Sequence, residues 1–305
     1  MRPHVETVED EFDRLSLVSR DTTSTAGGSA SLKNRDVQRR FYAFILEQYD
    51  RLREIPAAQR KTGHFDSVLA KLRKLREGVI SSGSYDSFAA AIYEQSVDVS
   101  LESRNFAELL KALVGLTNTI YPALESLRSG GDGGVPSAAP PVRRPEFSAY
   151  MLLYLVCYAR PPGARHGSAR EVIRTYAGFP KWVQDSRHVR YAMLVFKALR
   201  VDLDFVALNV LWDQSSKSQR AFLECIMPSV QERTLQILAK VYFTLPMDQL
   251  LLWLRPSGET GSLERSTIDK LLRAHVHPDA LEDRLVNGTV TLRKAKPRIK
   301  AVVIP

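Results

Sequence analysis

His275 and His277 are spaced as alternating ligands along a strand. No cysteine or carboxylate cluster accompanies them, so a surface turn before Pro278 explains them better than a metal site does. The acid pairs Asp202/Asp204 and Glu282/Asp283 fall at helix starts and turn edges, where the helix dipole or water stabilises the charge. Cys157 and Cys225 sit within apolar helical patterns, which implies buried thiols and neither a disulfide framework nor a zinc site. The sequence contains no Gly-rich loop ending in Lys-Ser/Thr, no His-Glu-x-x-His and no Gly-x-Ser-x-Gly elbow. The expectation is a protein that is not an enzyme and holds no metal or cofactor.

The chemistry that remains is ionic. The net charge of +9 is unevenly spread: residues 33–79 carry 12 Lys/Arg against 6 Asp/Glu, and residues 293–300 carry five basic residues and no acid. The first 32 residues hold three basic and six acidic groups, and residues 80–292 are nearly neutral at 23 against 22. Basic charge gathered in blocks suits phosphate or an acidic protein surface. The candidate nucleic-acid contacts are Arg265, Lys270 and Arg273, followed by Arg293, Lys294, Lys296, Arg298 and Lys300. The candidate protein contacts are Lys71, Arg73, Lys74 and Arg76. The alternative reading is that solvated helix faces and a loose tail carry these charges.

The elements that must position them are helical. Residues 1–35 are acidic, then small and polar, and the expectation is a flexible tail. A helix begins near Asp36, and Asp66 can cap another whose apolar face is Val68, Leu69, Leu72 and Leu75, with the four basic candidates opposite. Tyr85 to Leu101 follows, then a helix capped by Asn105 with Glu108 three residues on. Loops are expected at 129–145 and 160–168. Between them, Phe147, Tyr150, Tyr154 and Tyr158 form a stripe backed by Leu152, Leu153, Val156 and Cys157, so this helix should be buried on all sides, its aromatics serving as core and not as a base-stacking platform. Four patterns then run from Arg187 to Leu254. The third stops at Pro228, and Ser229 with Glu232 has the spacing of a capping box for the fourth.

The last stretch reads differently. Thr244–Leu254 and Leu263–His275 are expected as helices, and Asn287-Gly288 between Arg284-Leu285-Val286 and Thr289–Leu292 is the signal of a hairpin with a type I′ turn. Helix, helix, hairpin is the order of a winged helix, which can set its second helix in a groove of nucleic acid or dock on a protein through its sheet edge. No apolar run reaches the roughly 18 to 20 residues that span a bilayer, and the first residues lack the layout of a secretion signal. A soluble intracellular protein is expected.

The run Ile92-Tyr93-Glu94, Leu101-Glu102, Asn105-Phe106-Ala107-Glu108 and Tyr121 resembles the helix pair of the SAC/GANP-type PCI scaffolds of mRNA export, in particular their smaller, splicing- and transcription-linked branch. Glu146-Phe147-Ser148-Ala149-Tyr150, Glu232-Arg233 with Leu245-Pro246, and Leu75-Arg76 are similar to further motifs of that family in the same order, over residues 65–295. The family's upstream Cys-Pro segment is missing here. The resemblance implies a mainly α fold: a helical-hairpin, TPR-like repeat solenoid over residues 36–243 and a winged helix over 244–305, together a PCI module. It implies a nuclear, non-catalytic scaffold that pairs with a second PCI-domain protein and a small acidic subunit of the proteasome-lid type. The assembly would bind RNA or DNA in mRNA processing and export. The alternative is an assembly subunit of a proteasome-lid, signalosome or translation-initiation-factor-like complex that binds no nucleic acid.

Overall fold

The computed structural model describes residues 31–56, 59–129, 142–159, 168–200, 203–254, 265–275 and 284–292. The expected tail before Ser31, most of both expected loops and the basic run 293–300 lie outside the described residues. The fold is mainly helical with one small three-stranded sheet. The chain forms two compact units, Met1–Met151 with Lys181–Ser186, and Leu152–Pro180 with Arg187–Pro305.

The first unit is a series of helices, each packed on the next. Helix α1 (Arg35–Glu54) starts one residue earlier than the sequence suggests, because Asn34 accepts from the Asp36 amide as its N-cap. Leu32, within the expected tail, is already buried. A 3₁₀ turn (Thr62–Phe65) leads into α2 (Asp66–Ser82), so Asp66 is the first residue of that helix and not its cap. Helix α3 (Ser87–Glu102) is capped by Asp86, and α4 (Phe106–Gly115) by Asn105, whose side chain accepts from the Glu108 amide as its spacing requires. A π turn (Leu116–Ile120) joins α4 to α5 (Tyr121–Ser129). The Tyr121 amide reaches the Leu116 carbonyl across it, a widening that gives the ring of Pro122 room.

Helix α6 (Arg144–Leu153) continues through a second π turn (Tyr154–Tyr158). It is apolar around its circumference and correspondingly buried: Phe147, Tyr150, Leu152, Leu153, Tyr154, Val156 and Cys157 are all in the core. Tyr158 is the exception, at 44% exposure. Helices α7 (Ala169–Ala177), α8 (Lys181–Gln184), α9 (Arg187–Arg200) and α10 (Phe205–Asp213) follow, with Asp204 capping α10.

Two elements differ from the sequence expectation. Residues 217–241 form one continuous helix, α11 (Lys217–Val241), with Pro228 inside it. The capping box belongs to Ser216 and Gln219, so the Ser229/Glu232 spacing marks no helix start. Proline removes one backbone donor, but burial of Ile226, Met227, Val230 and Thr234 on either side holds the helix through it. The second difference is Thr244–Pro246, which is a strand, β1, ahead of α12 (Met247–Leu254). Helix α13 (Arg265–His275) precedes the hairpin of β2 (Leu285–Val286) and β3 (Thr289–Thr291). The sheet order is β1-β3-β2, antiparallel, with Leu245 opposite Val290 and Val290 opposite Leu285. Asn287 and Gly288 take φ of 49° and 75°, the positive pair that a type I′ turn requires. Leu235 and Leu238 of α11 share one core with Leu245, Leu250, Leu254, Ile268, Leu272, Val290 and Leu292. That core is continuous across residue 243, where the sequence places a boundary.

Gly115 marks the closest approach in the first unit: a Cβ there would lie 2.3 Å from Cε1 of the buried Tyr93 ring. Alanine gains about 1 kcal/mol of helix propensity over glycine, whereas forced overpacking costs about 1–3 kcal/mol. Gly115→Ala should therefore lower the urea midpoint, and Tyr93→Leu in the same chain should return part of the loss. A midpoint raised by Gly115→Ala alone would show that the ring yields freely.

Candidate functional site

Glu94, Tyr121, Glu146 and Tyr150 meet in one polar network. Glu94 and Asp98 lie four apart on α3, on a face that also carries the buried Val97 and Leu101. Half-buried carboxylates need partners, and Arg143, just before α6, supplies them. Its Nη1 donates to Asp98 at 2.8 Å and its Nη2 at 3.2 Å, a bidentate pair, while its Nε reaches Glu146 at 3.0 Å and Glu94 stands 3.8 Å away. The Tyr121 hydroxyl donates to Glu94 at 2.9 Å and the Tyr150 hydroxyl to Glu146 at 2.6 Å. Arg143 also lies over the Phe147 ring. Its neighbour Arg144 is buried, paired with Glu125, and stands over both Tyr121 and Trp182.

Burial pushes the Glu94 and Asp98 carboxyls above their ordinary range, although Tyr121 and Arg143 partly offset it. Burial draws the Arg143 guanidinium down, but the bonds from Asp98 and Glu146 outweigh this and hold it above its ordinary value. Tyr42, desolvated and beside Glu94 and Asp98, is pushed up to about 12. Each carboxylate is engaged by a donor within the fold, so the cluster works as a clasp joining α3, α5 and α6. Among the described residues, no group of three or more His, Cys, Asp or Glu side chains is placed to hold a metal ion.

The second feature faces solvent. An open groove of about 420 Å³ runs beside α2, with Arg73, Arg76, Glu77 and Ile80 on one wall and Tyr93 and Lys111 on the other. Arg76 is buried, lies over the Tyr93 ring and pairs with Glu108 at 2.6 Å. Lys111 reaches the same carboxylate at 2.8 Å from a more exposed position, and Arg73 pairs with Glu77 at 3.3 Å. Burial alone would raise the Glu108 carboxyl, but the Lys111 bond and the charges of Arg76 and Lys111 hold it below its ordinary range. The lining thus offers the exposed cations Arg73 and Lys111 beside Ile80, with Arg76 and the Tyr93 ring buried.

Of the four basic candidates on α2, two are not on the surface. Lys71 is buried, donating to Gln48 and Ser67 at 3.0 Å each and lying over the Phe44 ring, and Arg76 is buried as above. Helix α2 packs against α1 on one side and α3 on the other, which draws both side chains inward. The assignment of all four to one exposed face is corrected accordingly: Arg73 is exposed and Lys74 half-buried. On α13, Lys270 and Arg273 are exposed one turn apart, opposite the buried Ile268 and Leu272, and Arg273 pairs with Asp269 at 2.8 Å. Arg265 begins that helix. Arg293, Lys294, Lys296, Arg298 and Lys300 lie outside the described residues, as do His277, Asp202, Glu282 and Asp283. Cys157 is buried, and the Cys225 thiol donates to the Ala221 carbonyl at 3.4 Å. Sequence reasoning missed Arg143, which fell in an expected loop, and Tyr93 and Lys111 as groove walls. The signal available was the pair Glu94/Asp98 on an otherwise apolar face.

No protein-family model and no curated protein matches this chain.

Removing Arg143 strands carboxylates that are only partly reached by water. Arg143→Ala should cost about 1–3 kcal/mol, between the values for exposed and fully buried pairs because the side chain is 39% exposed. The pH dependence has a definite sign. Carboxyls raised in the folded state contribute stability at and below the ordinary carboxylate range, and this is lost as pH rises through their raised values. Thermal melts from about pH 4 upward should show Arg143→Ala falling more steeply with pH than wild type, and Glu94→Gln less steeply. Parallel curves for all three would refute the clasp.

Proposed function

We propose that this chain is a non-catalytic scaffold: a helical-hairpin stack, TPR-like in its repeat, that ends in a winged helix, forming a PCI module of the SAC/GANP type. It pairs with a second PCI-domain protein and a small acidic subunit of the proteasome-lid type. Together they present a basic surface to RNA or DNA in nuclear mRNA processing and export. One observation carries the reading. The second half of α11, then β1, α12, α13 and the β2–β3 hairpin share a single core, and β1 lies against β3. Helix, strand, helix, helix, two-stranded wing is the succession of a winged helix, and in the sequence the motifs of the scaffold family lead into it.

Lys270 and Arg273, exposed on α13, and the basic run after β3 supply the charge for phosphate. Such contacts position nucleic acid without reading bases, so binding is salt-sensitive and weakly sequence-selective. A second reading, an assembly subunit of a proteasome-lid, signalosome or initiation-factor-like complex without nucleic-acid binding, draws on different details. Arg273 is already paired with Asp269, and Val286 on the edge strand β2 is 63% exposed, which suits a protein partner at the sheet edge.

Replacing Arg293, Lys294, Lys296, Arg298 and Lys300 by Ala should weaken binding to single-stranded RNA and lower the slope of log K against log salt by about 0.7 per lost phosphate contact. Unchanged affinity and slope would remove the tail from the interface. Affinity purification separates the two readings: mRNA-processing factors support the first, and lid or initiation subunits the second.

A further inference from the structure

The groove beside α2 is built for an acidic segment with an apolar side chain. Its lining sets the exposed cations Arg73 and Lys111 with Ile80, which is 48% exposed, and with the buried Arg76 and Tyr93. Among the described residues, Arg73 and Lys111 are each paired with a carboxylate one turn away on their own helix, arrangements worth a few tenths of a kcal/mol and readily exchanged.

The chain carries such a segment close by. Glu9-Asp10-Glu11-Phe12-Asp13-Arg14 sets four acids around a phenylalanine and follows them with an arginine, in a stretch of net charge −3 over the first 32 residues. The first described residues pack on α2, the helix that forms one wall of the groove. Leu32 is buried against α2 at Gly78, where an added Cβ would lie 2.9 Å from Leu32, and its carbonyl accepts from Gln38 at 2.7 Å. Gly78 is next to Glu77 in the same helix and three residues from Ser81, both groove residues. From Asp13 to Ser31 the chain has 18 steps, a contour of at most about 60 Å. Passing around a helix takes about 10–12 Å. The tether is therefore long enough to reach the groove.

We infer that Glu9–Asp13 is the groove's occupant: the acids meet Arg73 and Lys111, and Phe12 lies against Ile80. This inference is independent of the family reading.

The test uses the intact chain. Acetylation of Lys111 by a soluble reagent is followed by mass spectrometry, with Lys181, at 77% exposure on another helix, as the internal standard. Replacing Glu9→Gln, Asp10→Asn, Glu11→Gln and Asp13→Asn together should speed Lys111 labelling at least threefold and leave Lys181 unchanged. Arg73→Glu or 0.5 M salt should do the same to the wild-type chain. A synthetic peptide of residues 1–20 should restore the slow rate to the neutralised chain. Equal Lys111 rates in the wild-type and neutralised chains would overturn the inference. So would protection that grows with protein concentration, which would mean that the segment of one copy occupies the groove of another. A circular dichroism spectrum shared by all chains excludes unfolding as the cause of faster labelling.

Discussion

A carboxylate that leaves water must find a positive or hydrogen-bonding partner, and the first unit is arranged around that requirement. Glu94 and Asp98 face inward from α3 because the same helix must bury Ile92, Val97 and Leu101. Arg143 meets them from the chain leading into α6, and Tyr121 from the start of α5. Three helices far apart in sequence are thereby fixed in register by one guanidinium and one phenol. Apolar packing alone tolerates sliding, but a bidentate pair at 2.8 and 3.2 Å does not. The same logic recurs on a smaller scale where Arg60 reaches Glu102 and Tyr49 donates to that carboxylate.

Burial of long basic side chains is the second theme. Lys71 and Arg76 keep their stems among apolar neighbours and place their heads on partners from other helices, Gln48 for one and Glu108 for the other. Helix α2 is a central element of its unit, so two of its cations act as internal ties while Arg73 remains for the groove. The groove's charge and its walls thus come from the same packing that holds α2, α3 and α4 together.

Features whose cause is local were legible in the sequence. The Asn105 cap, the type I′ turn at Asn287-Gly288 and the burial of α6 on all sides each follow from residues within a few positions of one another. What could not be read depends on distant partners. Thr244–Pro246 is too short to show a strand period and contains a proline, yet β3 supplies its partners some 45 residues later. Pro228 looked like a stop because a stop is its local preference, and burial on both sides of it decided otherwise. The clasp needed Arg143 to be matched with acids 45 residues upstream, which spacing within one helix cannot reveal. Half of the basic face on α2 was misplaced for the same reason. The basic run after β3 was read from composition, and its role rests on charge alone.

Helix α11 passes through Pro228 without interruption and gives Leu235 and Leu238 to the core of the terminal sheet. The last module therefore has no independent beginning at residue 243. Severing the chain there would expose the floor of that core and leave the hairpin without its support. The natural seam lies inside the helix, at the one turn whose ladder lacks a rung. Any bend at that turn would re-aim the β2–β3 hairpin together with the core it shares with the second half of α11, with the proline as its elbow.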